Sequence, residues 1–161
     1  MERKTPKGAG ATINLSEDAM TIAQVIAGRG EVWSCNADDN VSDAITMLAQ
    51  HRIGALPVRD GETGVAGIFS ERDMMRCLHK HGEAALHMKV RDMMTAPVIT
   101  ITSGTSVLEA LALMTQRRFR HLPVVDGGTM VAFVSIGDLV KYRIDKIEAE
   151  ADAMRSYIQQ A

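Results

Sequence analysis

Apolar side chains recur along this chain with two different periods. In NVSDAITMLAQHR (40–52) and SVLEALALMTQRR (106–118), Val41, Ala44, Ile45, Leu48 and Val107, Ala110, Leu111, Met114 fall at i, i+3, i+4, i+7. One face of each segment is therefore apolar, which predicts two amphipathic helices. Asn40-x-x-Asp43 and Ser106-x-x-Glu109 supply N-cap signals at their starts. Six short runs rich in β-branched and aromatic residues predict strands: EVWSCNA and PVITIT, ALPV and HLPVV, GVAGIF and MVAFV. The last two lead into Ser70 and Ser135, where further helices are expected to begin. The order is β-α-β-β-α, twice.

The two halves keep register. At an offset of 66, Val41, Ala44, Leu56, Pro57 and Asp60 match Val107, Ala110, Leu122, Pro123 and Asp126. After the Asp-Gly turn the offset is 65, and Ser70 and Asp73 match Ser135 and Asp138. A duplication with one loop deletion accounts for this. The expected organisation is an arm over 1–20, mobile because it has no periodicity, and a first repeat over 21–80. A connector (81–89), a second repeat (90–145) and a helical extension (146–161) follow. The fold class is mixed α/β, and the two repeats are expected to share one core.

Composition narrows the function. The 161 residues carry a net charge of −2, so nothing draws the whole chain to nucleic acid or anionic lipid. No apolar run nears the roughly 20 residues of a membrane span, and no signal peptide is evident. Cys35 and Cys77 form no CxxC pattern and suit a reducing cytoplasm. His79, His81 and His87 lack a partner at ligand spacing, so they read as connector and no metal is expected. Neither a GxGxxG nor a P-loop motif occurs, and no catalytic constellation can be named.

Ser70-x-x-Asp73 and Ser135-x-x-Asp138 admit two readings. Each can be a capping box, with Ser and Asp satisfying the first helical N–H groups. The same geometry can serve a ligand: helix N–H groups and the hydroxyl for phosphate, the carboxylate for ribose hydroxyls.

The twofold β-α-β-β-α order, the LPV-x-DG hairpins and the strand exits GIFSERD and AFVSIGD resemble a tandem pair of cystathionine-β-synthase (CBS) domains, of the stand-alone bacterial type, over about residues 21–145. The resemblance implies two repeats packed through their sheets about a pseudo-twofold axis, often dimerising into a disc. It also implies clefts that bind AMP, ADP, ATP, S-adenosylmethionine or NAD(H), with a sensing role and no catalysis. Carried over by position, one cleft combines Ser135, Gly137 and Asp138 with Gly28, Val32, Trp33, Ile53 and Gly54, and with Arg120 and His121 toward phosphate. The other combines Ser70, Arg72 and Asp73 with Thr95, Pro97, Val98, Ile99, Phe119 and Arg120. Arg120-His121, where the first repeat has Gly54-Ala55, predicts that the Asp138 cleft prefers a compact phosphate such as AMP. The Asp73 cleft is then left for a dinucleotide. Arg117 and Arg118 are covered by the reading of a solvated basic helix end. Trp33 is a stacking platform for a base or ordinary packing.

Val140, Ile144, Ile147, Ala151, Met154 and Ile158 step by alternate fours and threes, a heptad seam. The seam either folds onto its own domain or meets a second chain in a homodimer. Three functions follow from different classes: a non-enzymatic adenosine-ligand sensor acting on a separate protein, a nucleic-acid-binding module using RRFRH, and an enzyme using NAD(H). The first fits best; 4% aromatic content argues against the second, and the third lacks a hydride or proton-transfer site.

Overall fold

The computed structural model describes residues 20–61 and 64–160. The chain opens with a short helix α1 (Ile22–Ile26), a two-residue strand β1 (Cys35–Asn36) and helix α2 (Val41–His51). The hairpin β2 (Ala55–Asp60) and β3 (Gly64–Ser70) follows, then helix α3 (Glu71–His81). A 3-10 helix (Gly82–His87) leads to the second half. There α4 (Val90–Met93), α5 (Val107–Arg117), the hairpin β4 (His121–Asp126) and β5 (Thr129–Ser135) repeat the order, before the long α6 (Ile136–Gln160). The hairpins carry a register shift at equivalent places, Val58/Arg59 and Val124/Val125. Gly127 and Gly128 turn the second one, both at positive φ (56° and 81°).

Three expectations change. The first strands are far shorter than EVWSCNA and PVITIT: β1 pairs with β2 only through Cys35 and Asn36, and its counterpart is a single parallel bridge, Ile101 to Val124. Each segment lines a cleft before it reaches the sheet, so propensity alone overstates its pairing. Asn40 occupies an N-cap position by its backbone, but its side chain accepts from Lys89 Nζ (3.0 Å) instead of capping α2. The repeats also do not share one core. One apolar cluster holds Val41, Ala44, Leu56, Val58 and Phe69, the other Val107, Ala110, Leu122, Val124 and Leu139.

The two clusters are joined by an exchange. Ile22 and Val25 of α1 lie in the second-repeat cluster, while Val90 lies in the first. The backbone bonds mirror each other. Val107 N donates to Met20 O (2.8 Å) and Val41 N to Met88 O (2.9 Å). Ile22 N donates to Thr105 O and Val90 N to Asp39 O, both at 2.9 Å. Apart from Met20, the proposed arm lies outside the described residues. Each short helix, too small to bury its apolar face alone, is thus stabilised by the other repeat. The loops that follow α1 and α4 are consequently carried across to face the opposite repeat's hairpin.

Gly67 shows how closely these loops approach. A Cβ there would lie 2.7 Å from Met94 Sδ and 2.8 Å from Thr95 O, and Thr95 bonds Ile68 in both directions (3.0 and 2.8 Å). Gly67→Ala is expected to push Thr95 outward and cost about 1–3 kcal/mol, read as a lowered denaturation midpoint. An unchanged midpoint would show that the 94–95 segment yields freely.

Candidate functional site

Both Ser-x-x-Asp motifs form capping boxes, and each opens into a cleft. Asp73 N donates to Ser70 Oγ (3.4 Å) and Asp138 N to Ser135 Oγ (3.1 Å). In return Ser70 N donates to Asp73 Oδ2 (2.8 Å) and Ser135 N to Asp138 Oδ2 (2.7 Å). Glu71 N donates to Gly54 O and Ile136 N to Arg120 O, so each helix start is pinned beside the first residues of its own hairpin.

The two aspartates differ in surroundings. Asp73 is 3% exposed and accepts from Ser70 N, Ser70 Oγ (2.6 Å), Thr95 Oγ1 (2.8 Å) and Arg76. Asp138 is one-third exposed and is held by Arg29, with N–O distances of 3.1 and 3.2 Å. Burial works upward on the Asp138 carboxyl, but Arg29 and the Ser135 donors outweigh it and hold it below the usual value. Arg29 reaches it from the loop after α1, which the exchange of short helices carries to the second repeat.

The Asp138 cleft encloses about 480 Å³ and is lined by Val32, Trp33, Ile53, Gly54, His121, Ser135 and Asp138, with Arg29, Glu31, Arg52, Ala55 and Phe133 among the additions. Of the residues expected here, Gly28, Gly137 and Arg120 do not line it. The Asp73 cleft encloses about 550 Å³ and gathers Ser70, Arg72, Asp73, Thr95, Phe119 and Arg120 with Arg76, Arg117, Arg118 and Glu71. An adjoining apolar lobe of about 260 Å³ adds Pro97, Val98 and Ile99. Gly54 and His121 border both clefts.

The charge is distributed differently from the expectation. Arg120, assigned to both clefts by position, lines the Asp73 cleft, and so do Arg117 and Arg118, which the sequence suggests are merely a solvated helix end. Five arginines face two carboxylates there, whereas Arg29 and Arg52 are balanced by Glu31 and Asp138 in the other cleft. The reason is a turn. Arg118 (φ 57°) and its counterpart Arg52 (φ 53°) adopt the left-handed conformation at the ends of α5 and α2, reversing the chain and putting each arginine on a cleft wall. An arginine in that conformation costs on the order of 1 kcal/mol, and two at matched positions mark a backbone constraint beside a site. The 66-residue match of Arg52 and Arg118 was the available signal. Trp33 is not core: it is 55% exposed and stacks on His51 with ring centroids 3.7 Å apart.

Burial holds the His121 imidazole below its ordinary 6.5; Asp138 and Glu71 oppose this and Arg120 reinforces it. His121 also stacks on Phe133 at 5.4 Å. With the folded pKa below the unfolded one, the unfolded chain binds more protons as pH falls through about 6.5. Stability is therefore full above about pH 7 and declines on acidification toward the folded value. The melting temperature should fall between about pH 7 and pH 5.5, and His121→Gln should flatten that slope. Equal slopes would assign the effect to other groups.

The fold is a duplicated unit with a pair of clefts, and the CBS domain description matches residues 22–80 and 90–145. The chain belongs to the CBS domain family. CBSX3, a mitochondrial CBS domain-containing protein of Arabidopsis thaliana, is 38% identical over 152 residues, spanning 88% of this chain and 73% of its own. A solved CBS-domain protein of Burkholderia ambifaria is 39% identical and superposes with a TM-score of 0.73 over 78% of this chain and 95% of its own. CBSX2, solved in complex with AMP, shares the fold at 24% identity, with a TM-score of 0.69 over 78% of this chain and 97% of its own. No helix among the described residues is long and apolar enough to cross a membrane.

Proposed function

We propose that this chain is a non-catalytic regulatory module that binds adenosine ligands in its two clefts and passes the occupancy to a separate protein. The observation that carries the reading is the pairing of each Ser-x-x-Asp helix start with a cavity walled by the opposite repeat. The helix start offers hydroxyl and N–H donors to phosphate, the aspartate suits ribose hydroxyls, and the loop after α1 or α4 walls the base. CBSX2 holds AMP on the same fold.

The two sites take ligands in an order set by charge. Arg72, Arg117, Arg118 and Arg120 hold no salt bridge among the described residues, so the Asp73 cleft favours phosphate-rich ligands: ATP, ADP or NAD(H), whose second half can use the apolar lobe of Pro97, Val98 and Ile99. S-adenosylmethionine, with its sulfonium cation, is disfavoured there. In both clefts a ribose must displace a guanidinium from the aspartate, Arg76 from Asp73 and Arg29 from Asp138. AMP binds more weakly in the Asp138 cleft because fewer arginines line it, with the displaced Arg29 free to turn to its phosphate. Both cysteines are buried and free, which suits a reducing cytoplasm. Calorimetric titration with AMP, ATP and NADH tests the reading, together with mass spectrometry of small molecules released from the purified chain. Two unequal sites are expected, and no heat with any of the three would reject the proposal.

A further inference from the structure

Beyond its first two turns α6 leaves its own domain. Leu139 is buried and Ile136 and Tyr142 pack on the second-repeat cluster, but from Ile144 to Gln159 every side chain except Ala151 is exposed. The seam Val140, Ile144, Ile147, Met154 and Ile158 is 43–68% exposed, and it is rotated by about 100° from Leu139 at 3.6 residues per turn. An apolar face of this length without a cover is an interaction surface.

We propose that the cover is α6 of a second copy of this chain, the two helices parallel and in register. The steps assign Ile144, Ala151 and Ile158 to heptad position a, and Val140, Ile147 and Met154 to d. The flanking positions are then Arg143 and Glu150 at g, with Glu148 and Arg155 at e. In a parallel pair each g residue meets the e residue five places further along the other helix. Arg143 meets the partner's Glu148, and Glu150 meets the partner's Arg155; every contact is between opposite charges. An antiparallel pair with full overlap of the seam sets Glu150 against Glu150, Glu148 against Glu148 and Lys141 against Arg155, all of like sign. The charges thus select one orientation. In the single chain Arg143, Glu148 and Glu150 hold no salt bridge among the described residues, and Arg155 has only the exposed Asp152 (2.7 Å), which it can exchange. Mixed signs along both flanks also give an anionic lipid surface nothing to select.

The seam covers fewer than three heptads, so association is concentration-dependent. Sedimentation velocity on the full chain from about 1 to about 100 µM should show passage from one to two copies. Ile147→Glu should hold it as one copy with its circular dichroism otherwise retained. Arg143→Glu should weaken the pair at least about tenfold, and adding Glu148→Arg should restore it. Met154→Cys should form a disulfide-linked dimer on mild oxidation, because Cys35 and Cys77 are buried. In the antiparallel pair Met154 faces Ile144, about 15 Å along the helix from its own copy, and no link forms. The proposal is overturned by a single copy at the highest concentration or by a mass other than two copies. It is equally overturned by a doubled mass without the Met154→Cys link, by an Arg143→Glu variant that pairs unchanged, or by a single copy that sediments with phosphatidylserine vesicles.

Discussion

Asp73→Ala is expected to weaken the tighter nucleotide site by roughly 10- to 150-fold, the loss of 1.5–3 kcal/mol for hydrogen bonds to a charged group. The same change should destabilise the fold by about 3 kcal/mol, because Ser70 N, Ser70 Oγ and Thr95 Oγ1 lose a buried acceptor and the more exposed Arg76 loses its ion-pair partner. Asp138→Ala should behave differently. Its carboxylate is one-third exposed, so the stability cost is nearer 1 kcal/mol, and freeing Arg29 for phosphate offsets part of the lost ribose contact. Calorimetry well below the unfolding transition separates binding from stability, and 2′- and 3′-deoxy ligands should imitate the binding loss without touching the fold. If both variants bind as the parent does and only melt earlier, the Ser-x-x-Asp motifs are caps and nothing more.

Arg118→Gln combined with Arg120→Gln is expected to cost ATP roughly two orders of magnitude in affinity while leaving adenosine nearly unchanged. Each guanidinium removed takes away a charge-assisted contact to phosphate and none to base or ribose. The difference should shrink as salt rises, since these side chains are exposed and the Debye length is about 8 Å at physiological ionic strength. Equal losses for ATP and adenosine would mean that the substitutions deform the cleft. A third outcome, tight salt-steep binding of single-stranded RNA lost in the same double variant with no mononucleotide binding, would turn the arginines into a nucleic-acid surface.

Much of the candidate site is legible in the sequence. The 66- and 65-residue register, Ser70 with Asp73, and Ser135 with Asp138 locate two helix starts, and Thr95, Pro97, Val98, Ile99 and Phe119 do gather around the first of them. The side on which Arg120 falls was not legible. Arg120 lies in the bend that leads into β4 and His121 beside it borders both clefts, so position by repeat cannot say which cleft each enters. Arg29 was invisible for a different reason: its partner, Asp138, lies 109 positions away.

What the amino-acid order determines alone is local and periodic. The helices at 41–51 and 107–117, the hairpins after Gly54 and Arg120, the caps at Ser70, Ser106 and Ser135 and the heptad stripe on α6 all follow from spacing within a dozen residues, where i+3, i+4 and i+2 neighbours decide which face is apolar. Only the tertiary structure decides which repeat each short helix joins. α1 and α4 are too short to stand alone, and they cross to the opposite repeat because Ile22, Val25 and Val90 find a buried place only there. That crossing brings Arg29 to Asp138 and Thr95 to Asp73. It balances the charge in one cleft, helps to enclose the other beside its arginines, and so sets two near-identical motifs in unequal clefts.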